Sequence, residues 1–394
     1  MNIYFAPLQM TDMQTHYDYI VSGGGAAGLS WVYRLLHSSL KDRRVLIIEP
    51  DAKDRNDRTW CFWERHPSQF EHIVHHQWQR LWFHQGDFSR LLDIAPYTYK
   101  VIRGIDFYKE VKAKIAGFPN VEWLQAPVEA LRDTGSGVEL SAGGRQFSAD
   151  WCINSVYRGP APDKQKVNYL DQHFRGWFVR TENEVFDPGQ ATMMDFRTPQ
   201  QGEFRFLYVL PFSAREALVE VAIFSNQHLE AAGYDEILAR YMQEHLPLAG
   251  AYEVTDTEQG NIPMTDFDFP RQEGRIVHLG MAGGDTRAST GYTFWNIQQR
   301  VDLIVRQLEQ QGRVTSDEPW PRRRSRRYDT LMLHVLEQQL HPGDELFRQL
   351  FERNPSSRLL AFLNAETTLP QELALMSTTP INKFLTALAG ELRR

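Results

Sequence analysis

The chain has 394 residues, 42% of them hydrophobic, with 43 Lys and Arg against 50 Asp and Glu, a formal net charge of −7. That length and apolar share predict a folded protein of two or three domains, and the acidic balance excludes a basic nucleic-acid binder as the default. Cys61 and Cys152 are the two cysteines and have no CxxC spacing, which supports neither a disulfide framework nor a structural zinc site and fits a reducing cytosol.

From the N-terminus, Met1 to His16 carries Asp12 and no basic stretch leading into an apolar run, which argues against a secretory signal. No window approaches the ~18 apolar residues of a spanning helix. The first strong pattern is a β-type run, Tyr17 to Ser22, leading straight into Gly23-Gly24-Gly25-Ala26-Ala27-Gly28. A helical segment follows over Leu29 to Leu40, then an apolar run from Arg44 that ends in Glu49. Together these make a β-α-β unit with buried parallel strands. Glycines at 23, 25 and 28 permit a tight turn, let backbone approach a pyrophosphate, and allow close helix-sheet packing. The helix N-terminus at Ala26 and Ala27 then faces the negative charge. Glu49 lies 21 residues after Gly28, placed to accept hydrogen bonds from a ribose.

Beyond this unit, short strands and Trp-rich loops precede a helix over 106–116, hairpin turns over 135–144 and a short strand, Ala149 to Asn154. His72, His75 and His76 lie on a polar stretch without a carboxylate ligand pattern, and no metal site is expected there. Between about 165 and 260 the pattern changes to alternating strands, Phe174–Arg180, Thr192–Phe196, Phe204–Pro211 and Ala217–Ser225. Glycine chemistry returns where a strand ending in Gly280 runs into Gly283-Gly284-Asp285. This late segment resembles the strand-loop-helix of FAD proteins, where an Asp meets the ribityl chain; two separated dinucleotide contacts favour FAD over NAD. The remainder reads as polar and helical. The expected architecture is α/β: a Rossmann-type FAD-binding domain over 15–164 and 261–310, an inserted antiparallel β substrate domain over 165–260, and a C-terminal helical region over 311–394.

Several blocks resemble the flavin-dependent lycopene β-cyclases of carotenoid biosynthesis: the Gly23 fingerprint, Asn56 to Trp63, Met194-Asp195-Phe196-Arg197, Phe206 to Phe212, Ala217-Leu218-Val219-Glu220, Gly260 to Met264, and Gly291-Tyr292-Thr293-Phe294. The resemblance implies an isomerase that closes β-ionone rings at the ends of lycopene or another linear carotene. A proton adds to the terminal double bond, the next double bond attacks the cation, and a ring proton is lost. Reduced FAD is the implied cofactor, with NADPH as a reductant not consumed in proportion to product. Implied partners are the carotene, other enzymes of the pathway and a membrane surface, met peripherally from the cytoplasmic side. No nucleic-acid partner is implied.

Glu220 is the candidate acid. It sits in an apolar strand, and burial there raises a carboxyl pKa. A water-exposed Glu, or one paired with Arg205 or Arg197, is the plain alternative. Asp195 either shares the proton, holds Glu220 in place, or pairs with Arg197. Arg58, Thr59 and Trp60 wall the flavin or the substrate path, or form a packed aromatic turn in which Arg58 bridges carboxylates. Thr290, Gly291 and Tyr292 belong to the loop over the flavin, which lacks the proline of many relatives. Many relatives also carry a second acid after Glu220, where this chain has Val221 and Ala222, so the proton acceptor has no assigned residue. The run Arg322 to Arg327 precedes Leu331, Met332, Val335 and Leu336 at helical spacing. It reads as a membrane-facing basic helix, or as a solvated helix start packing its apolar face on the domain. Phe351, Leu359, Phe362, Phe384 and Leu388 suit a helical cap over a substrate tunnel.

Overall fold

The computed structural model describes residues 15–392 except 158, 160, 161, 249 and 316–319. Most of the stretch used to argue against a secretory signal, residues 1–14, lies outside the described residues. In chain order, β1 (Thr15–Ser22), α1 (Ala26–Leu35) and β2 (Val45–Ile48) form the β-α-β unit. There follow β3 (Thr59–Glu64), β4 (His76–Trp78), β5 (Arg80–Gln85), β6 (Phe88–Asp93), β7 (Thr98–Arg103) and α2 (Gly104–Ile115). Next come β8 (Val121–Leu124), β9 (Val128–Asp133), β10 (Val138–Ala142) and β11 (Arg145–Asn154). The middle of the chain holds β12 (Tyr169–Thr181), β13 (Gln190–Asp195), β14 (Phe204–Pro211), β15 (Glu216–Ser225), α3 (Ala231–His245) and β16 (Tyr252–Thr265). Last are β17 (Gln272–Glu273), β18 (Ile276–His278), α4 (Phe294–Gln311), α5 (Trp320–Glu337), α6 (Gly343–Arg353), α7 (Ser356–Leu363), α8 (Leu369–Met376) and α9 (Ile381–Glu391).

The fold is mixed α/β, as expected. The first sheet has the order β17-β18-β11-β1-β2-β8, with β18, β11, β1, β2 and β8 parallel and β10 and β9 folded back antiparallel. β2 is buried along its whole length because one face packs under α1, α2 and α4 and the other under the β9-β10 hairpin. β18 returns to this sheet from late in the chain, which brings the second glycine segment to the first.

The second sheet has the order β16-β12-β15-β14-β13-β5-β6, antiparallel except where β13 runs parallel to β5. Its last two strands come from residues 80–93, so the sheet reaches back into the stretch that sequence reading assigns to the nucleotide-binding part. β5 and β6 are short and Trp- and Phe-bearing, and nothing in their alternation tells which sheet they join. One face carries α3 through Val219, Val221, Ile223, Leu238 and Tyr241. The other packs against Trp63, Tyr99 and Val101 of the small sheet β3-β7-β4 and against α5 to α8.

α5 turns Leu333, Val335 and Leu336 inward. Its arginines are engaged within the protein: Arg322 donates to Asn296 at 2.6 Å, Arg324 pairs with Glu372 at 2.7 Å, and Arg326 with Asp268 at 2.8 Å. The apolar face of this helix therefore packs on the interior, as in the solvated-helix reading of α5, while Trp320, Arg323 and Arg327 at its start stay exposed. Besides Trp320 at the start of α5, the exposed large apolar side chains of the C-terminal region are Leu369 and Leu373 of α8 and Ile381, Leu385 and Leu388 of α9, with Leu392 just beyond.

Candidate active site

Strand alternation turns Glu220 of β15 to the same side as Leu218 and Ala222, away from α3. Across the sheet it stands opposite Gly176 of β12, and Gly176 stands opposite Glu258 of β16. Strands two apart lie about 9–10 Å from each other, so the two carboxyls meet only over the intervening residue. A Cβ at Gly176 would lie 2.8 Å from Leu218 Cδ1, 3.1 Å from Glu220 Oε2 and 3.2 Å from Glu258 Cγ. Glycine leaves that space open, and the two carboxyls face each other across it. Glu258 Oε2 also accepts a hydrogen bond from Thr59 Oγ1 at 2.7 Å.

Glu220 is half-buried by accessible area, with protein packed around its carboxyl. Burial holds its carboxyl well above the ordinary range, and the charge of Glu258 pushes the same way. Burial raises Glu258 as well, while the Thr59 hydroxyl, Glu220 and the charge of Arg58 favour its ionised form. Two carboxyls sharing a site resist ionising together, and of the two Glu220 is pushed further toward its protonated form.

Around the pair lies a neutral polar cluster. Tyr208 of β14 stands opposite Glu220 and neighbours Tyr292, whose hydroxyl is 3.3 Å from that of Tyr99. Burial pushes all three phenols and the Cys61 thiol upward, so each stays protonated. Trp63 meets Tyr292 edge-on with ring centroids 4.6 Å apart. Tyr292 thus flanks the acid pair from the loop side and Thr59 from β3. Trp60 is set apart, packed against Phe107, Tyr108 and Phe294. Arg58 is exposed and donates to the carbonyl of Asp57 at 2.6 Å.

Asp195 does not join this site. It stands opposite Leu207 on the α3 side of the sheet, the other face from Glu220. Its carboxylate accepts hydrogen bonds from Arg197 Nη2 at 2.5 Å and Tyr241 Oη at 2.7 Å. Burial pushes the carboxyl up, but these donors outweigh it and hold it below the usual carboxylate range. The proton-sharing reading of Asp195 is corrected, and its pairing with Arg197 is what the fold builds.

The glycine segments converge. A Cβ at Gly28 would fall 2.1 Å from the Gly23 carbonyl oxygen, and one at Gly280 would fall 3.1 Å from Ala27 Cβ. α1 starts at Gly25 with no side-chain cap and no acid in its first turn, and the space beside Gly25 is open for 4 Å. Its free amides fit a pyrophosphate. Glu49 Oε2 accepts the Gly24 N–H at 2.6 Å and Oε1 the Asp51 N–H at 3.0 Å, leaving lone pairs for ribose hydroxyls. Gln172 Oε1 and Thr290 Oγ1 are buried without partners near Gly291, as groups that await a ligand's polar edge are. These features fit FAD. Asp285 modifies the expectation: its carboxylate accepts the Gly280 N–H at 2.7 Å and pairs with Arg300 at 3.1 Å. It fastens the Gly283-Gly284 turn, where Gly284 has φ +71°, beside a cavity of about 460 Å³ that Gly284, Asp285 and Thr286 line.

A second cavity, about 240 Å³ and apolar, is lined by Ser289, Thr290, Met332, Phe351, Leu359, Phe384 and Leu388 among others. It includes the side chains expected to cap a tunnel, and its Thr290 end lies two residues from Tyr292. Sequence reading misses Glu258, Gly176, Tyr208 and Tyr99. Glu258 lies in a run of polar residues that reads as solvent-facing, and only its position two residues before the Gly260 to Met264 block hints at more.

The family described as "Lycopene cyclase protein" matches residues 18–389. A lycopene beta-cyclase from Pantoea ananas is 22% identical over 302 residues, covering 71% of this chain and 72% of that protein. Among solved structures, a flavoprotein/dehydrogenase from Cytophaga hutchinsonii superposes with TM-score 0.63 at 14% identity, covering 95% of this chain and 100% of its own. A p-nitrophenol 4-monooxygenase from Pseudomonas putida gives 0.62 at 13%, covering 94% and 99%. A geranylgeranyl bacteriochlorophyll reductase-like protein from Thermoplasma acidophilum gives 0.59 at 13%, covering 96% and 97%. The fold is that of flavin-binding oxidoreductases, consistent in general with use of FAD.

Proposed function

The chain belongs to the lycopene cyclase protein family, and on that premise we propose that it closes β-ionone rings on lycopene or another linear carotene by acid-initiated, non-redox cyclisation. The observation that carries this reading is the buried Glu220–Glu258 pair, which keeps a transferable proton in an apolar wall. In the proposed reaction Glu220 gives that proton to the terminal double bond. Leu218, Ala222 and the aromatic residues packed on the same face exclude water, which would otherwise capture the cation. Trp63, Tyr99 and Tyr292 present ring faces, each contributing about 0.5–2 kcal/mol to a nearby cation. Reduced FAD, when bound, supplies a negative charge, worth about 4 kcal/mol at ~4 Å and an effective dielectric of 20. Gly23, Gly25, Ala26, Gly28, Glu49, Gly283 and Gly284 would hold it. The apolar cavity is below the ~300 Å³ of a drug-sized ligand's pocket, so it suits one end of a long polyene and not the whole molecule. Because such a substrate resides in membranes, we infer peripheral docking through the exposed leucines of α8 and α9, where Ile381, Leu385 and Leu388 also line that cavity.

A second reading is a redox flavoenzyme of the same fold. The names of the solved structures, a dehydrogenase, a monooxygenase and a reductase-like protein, favour it over cyclisation at the level of fold. Incubation with lycopene and NADPH or dithionite, run in parallel with and without oxygen, separates the two. Cyclisation gives β-carotene, by way of γ-carotene, with reductant needed but not consumed in step. Reductant consumed in proportion to an altered polyene supports the redox reading.

A further inference from the structure

The sequence leaves the proton acceptor without a residue, because Val221 and Ala222 stand where relatives carry a second acid. The fold supplies an acid there from a different strand. Glu258 reaches Glu220 from β16 over Gly176, two strands away, and its other contact is the Thr59 hydroxyl. We propose that Glu220 and Glu258 act as one acid-base unit that lends a proton to the substrate and takes one back, with Glu258 as the group that stores the charge between the two events. The proposal rests on the cyclase reading and extends it.

The step balances within the pair. Glu220 begins as the acid and Glu258 as the carboxylate. The O–H bond of Glu220 breaks as a C–H bond forms at the terminal alkene, leaving two carboxylates side by side beside a carbocation. Mutual repulsion makes this dianion a strong base, and its charge favours the cation electrostatically. When the ring is closed, one ring C–H bond breaks, its electrons form the ring double bond, and the proton returns to the pair. No proton is gained or lost overall and no external base is required. Thr59 and Arg58 matter here because they keep the negative charge on Glu258 and so the proton on Glu220. Were the charge to fall on Glu220, the acid of the pair would be spent.

The groups facing Glu220 are Glu258 from β16, Tyr208 from β14, Cys61 from β3 and Tyr292 from the loop before α4; those facing Glu258 are Thr59, Arg58 and Asp256. The phenols and thiol are protonated across the neutral range, so Glu258 is the neighbour whose charge governs Glu220. Activity needs Glu220 protonated: it is present below the pKa of Glu220 and lost as pH rises through it. Glu258→Gln keeps the shape and removes the charge, so that pKa drops. The descending limb of the pH-rate profile should move at least about one pH unit toward acid. Loss of the acceptor should lower the maximal rate at least about tenfold. Glu258→Asp keeps the charge and should recover part of the rate. Gly176→Ala, whose added methyl wedges the carboxyls apart, should move the limb in the same direction. Flavin absorbance and thermal unfolding of each variant establish that it is folded and loaded. If the unaltered protein forms no ring product, the functional reading falls and this inference with it. If the unaltered protein cyclises lycopene and the folded Gln variant keeps both its rate and its limb, the inference alone is overturned.

Discussion

Asp195→Asn separates structural from chemical acids in this protein. In the fold Asp195 Oδ1 accepts the Arg197 backbone N–H at 3.0 Å and Nε at 2.9 Å, and Oδ2 accepts Arg197 Nη2 at 2.5 Å and Tyr241 Oη at 2.7 Å. The Asp195 side chain is fully buried and that of Arg197 is 29% exposed. Asparagine offers one oxygen, and its amide NH₂ then points at a guanidinium that can only donate. Breaking a buried pair costs ~3–5 kcal/mol; part of the Arg197 head regains water, which brings the expected loss to roughly 2–3 kcal/mol. For a chain of this length that lowers the unfolding temperature by roughly 2–4 °C. The folded pKa of Asp195 is lowered, so its contribution is present above the unfolded value of ~3.9 and is lost as pH falls through the folded one. At pH 7 the full loss should be visible by calorimetry or urea titration. Turnover per folded molecule at a permissive temperature should stay within about twofold. An Asn variant that melts like its parent, holds flavin and has no turnover would refute the assignment and return Asp195 to the proton path.

Glu220→Gln should behave in the opposite way. The native carboxyl is already neutral, so the unfolding temperature should stay within about 2 °C of the parent while cyclisation is abolished; near-normal product by pigment spectrum would rule out Glu220 as the donor. Gly28→Ala forces a methyl to within 2.1 Å of the Gly23 carbonyl oxygen and should strip flavin from the purified protein, read as loss of the visible absorbance. Leu373→Glu with Leu385→Glu should reduce cosedimentation with vesicles and leave melting unchanged, since both side chains are more than half exposed. Arg324→Gln should instead cost stability, because Arg324 is tied to the buried Glu372. Unchanged melting with lost vesicle binding would restore the arginine run as the docking element.

The sequence by itself determines the parts whose physics is local. A β-run, glycines at 23, 25 and 28, a helix and a strand ending in Glu49 specify a dinucleotide cradle, because the turn, the open amides and the acid all lie within about thirty residues of chain. The apolar strand around Glu220 marks a candidate acid, but leaves open a water-exposed or Arg-paired carboxylate. Tertiary structure alone decides what that carboxyl meets. Glu258 is 38 residues further on, in a polar run, and reaches Glu220 because β12 threads between their strands and carries glycine at the one crossing point. Asp195 is nearer in sequence to Glu220 but lies on the other face, since strand register assigns residues to faces by pairing, which no single strand's pattern reveals. The same holds for β5 and β6, which join a sheet begun eighty residues later, and for α5, whose apolar face finds its partners inside the protein. Local chemistry writes each side chain's capacity; the packing of distant strands selects which capacities meet.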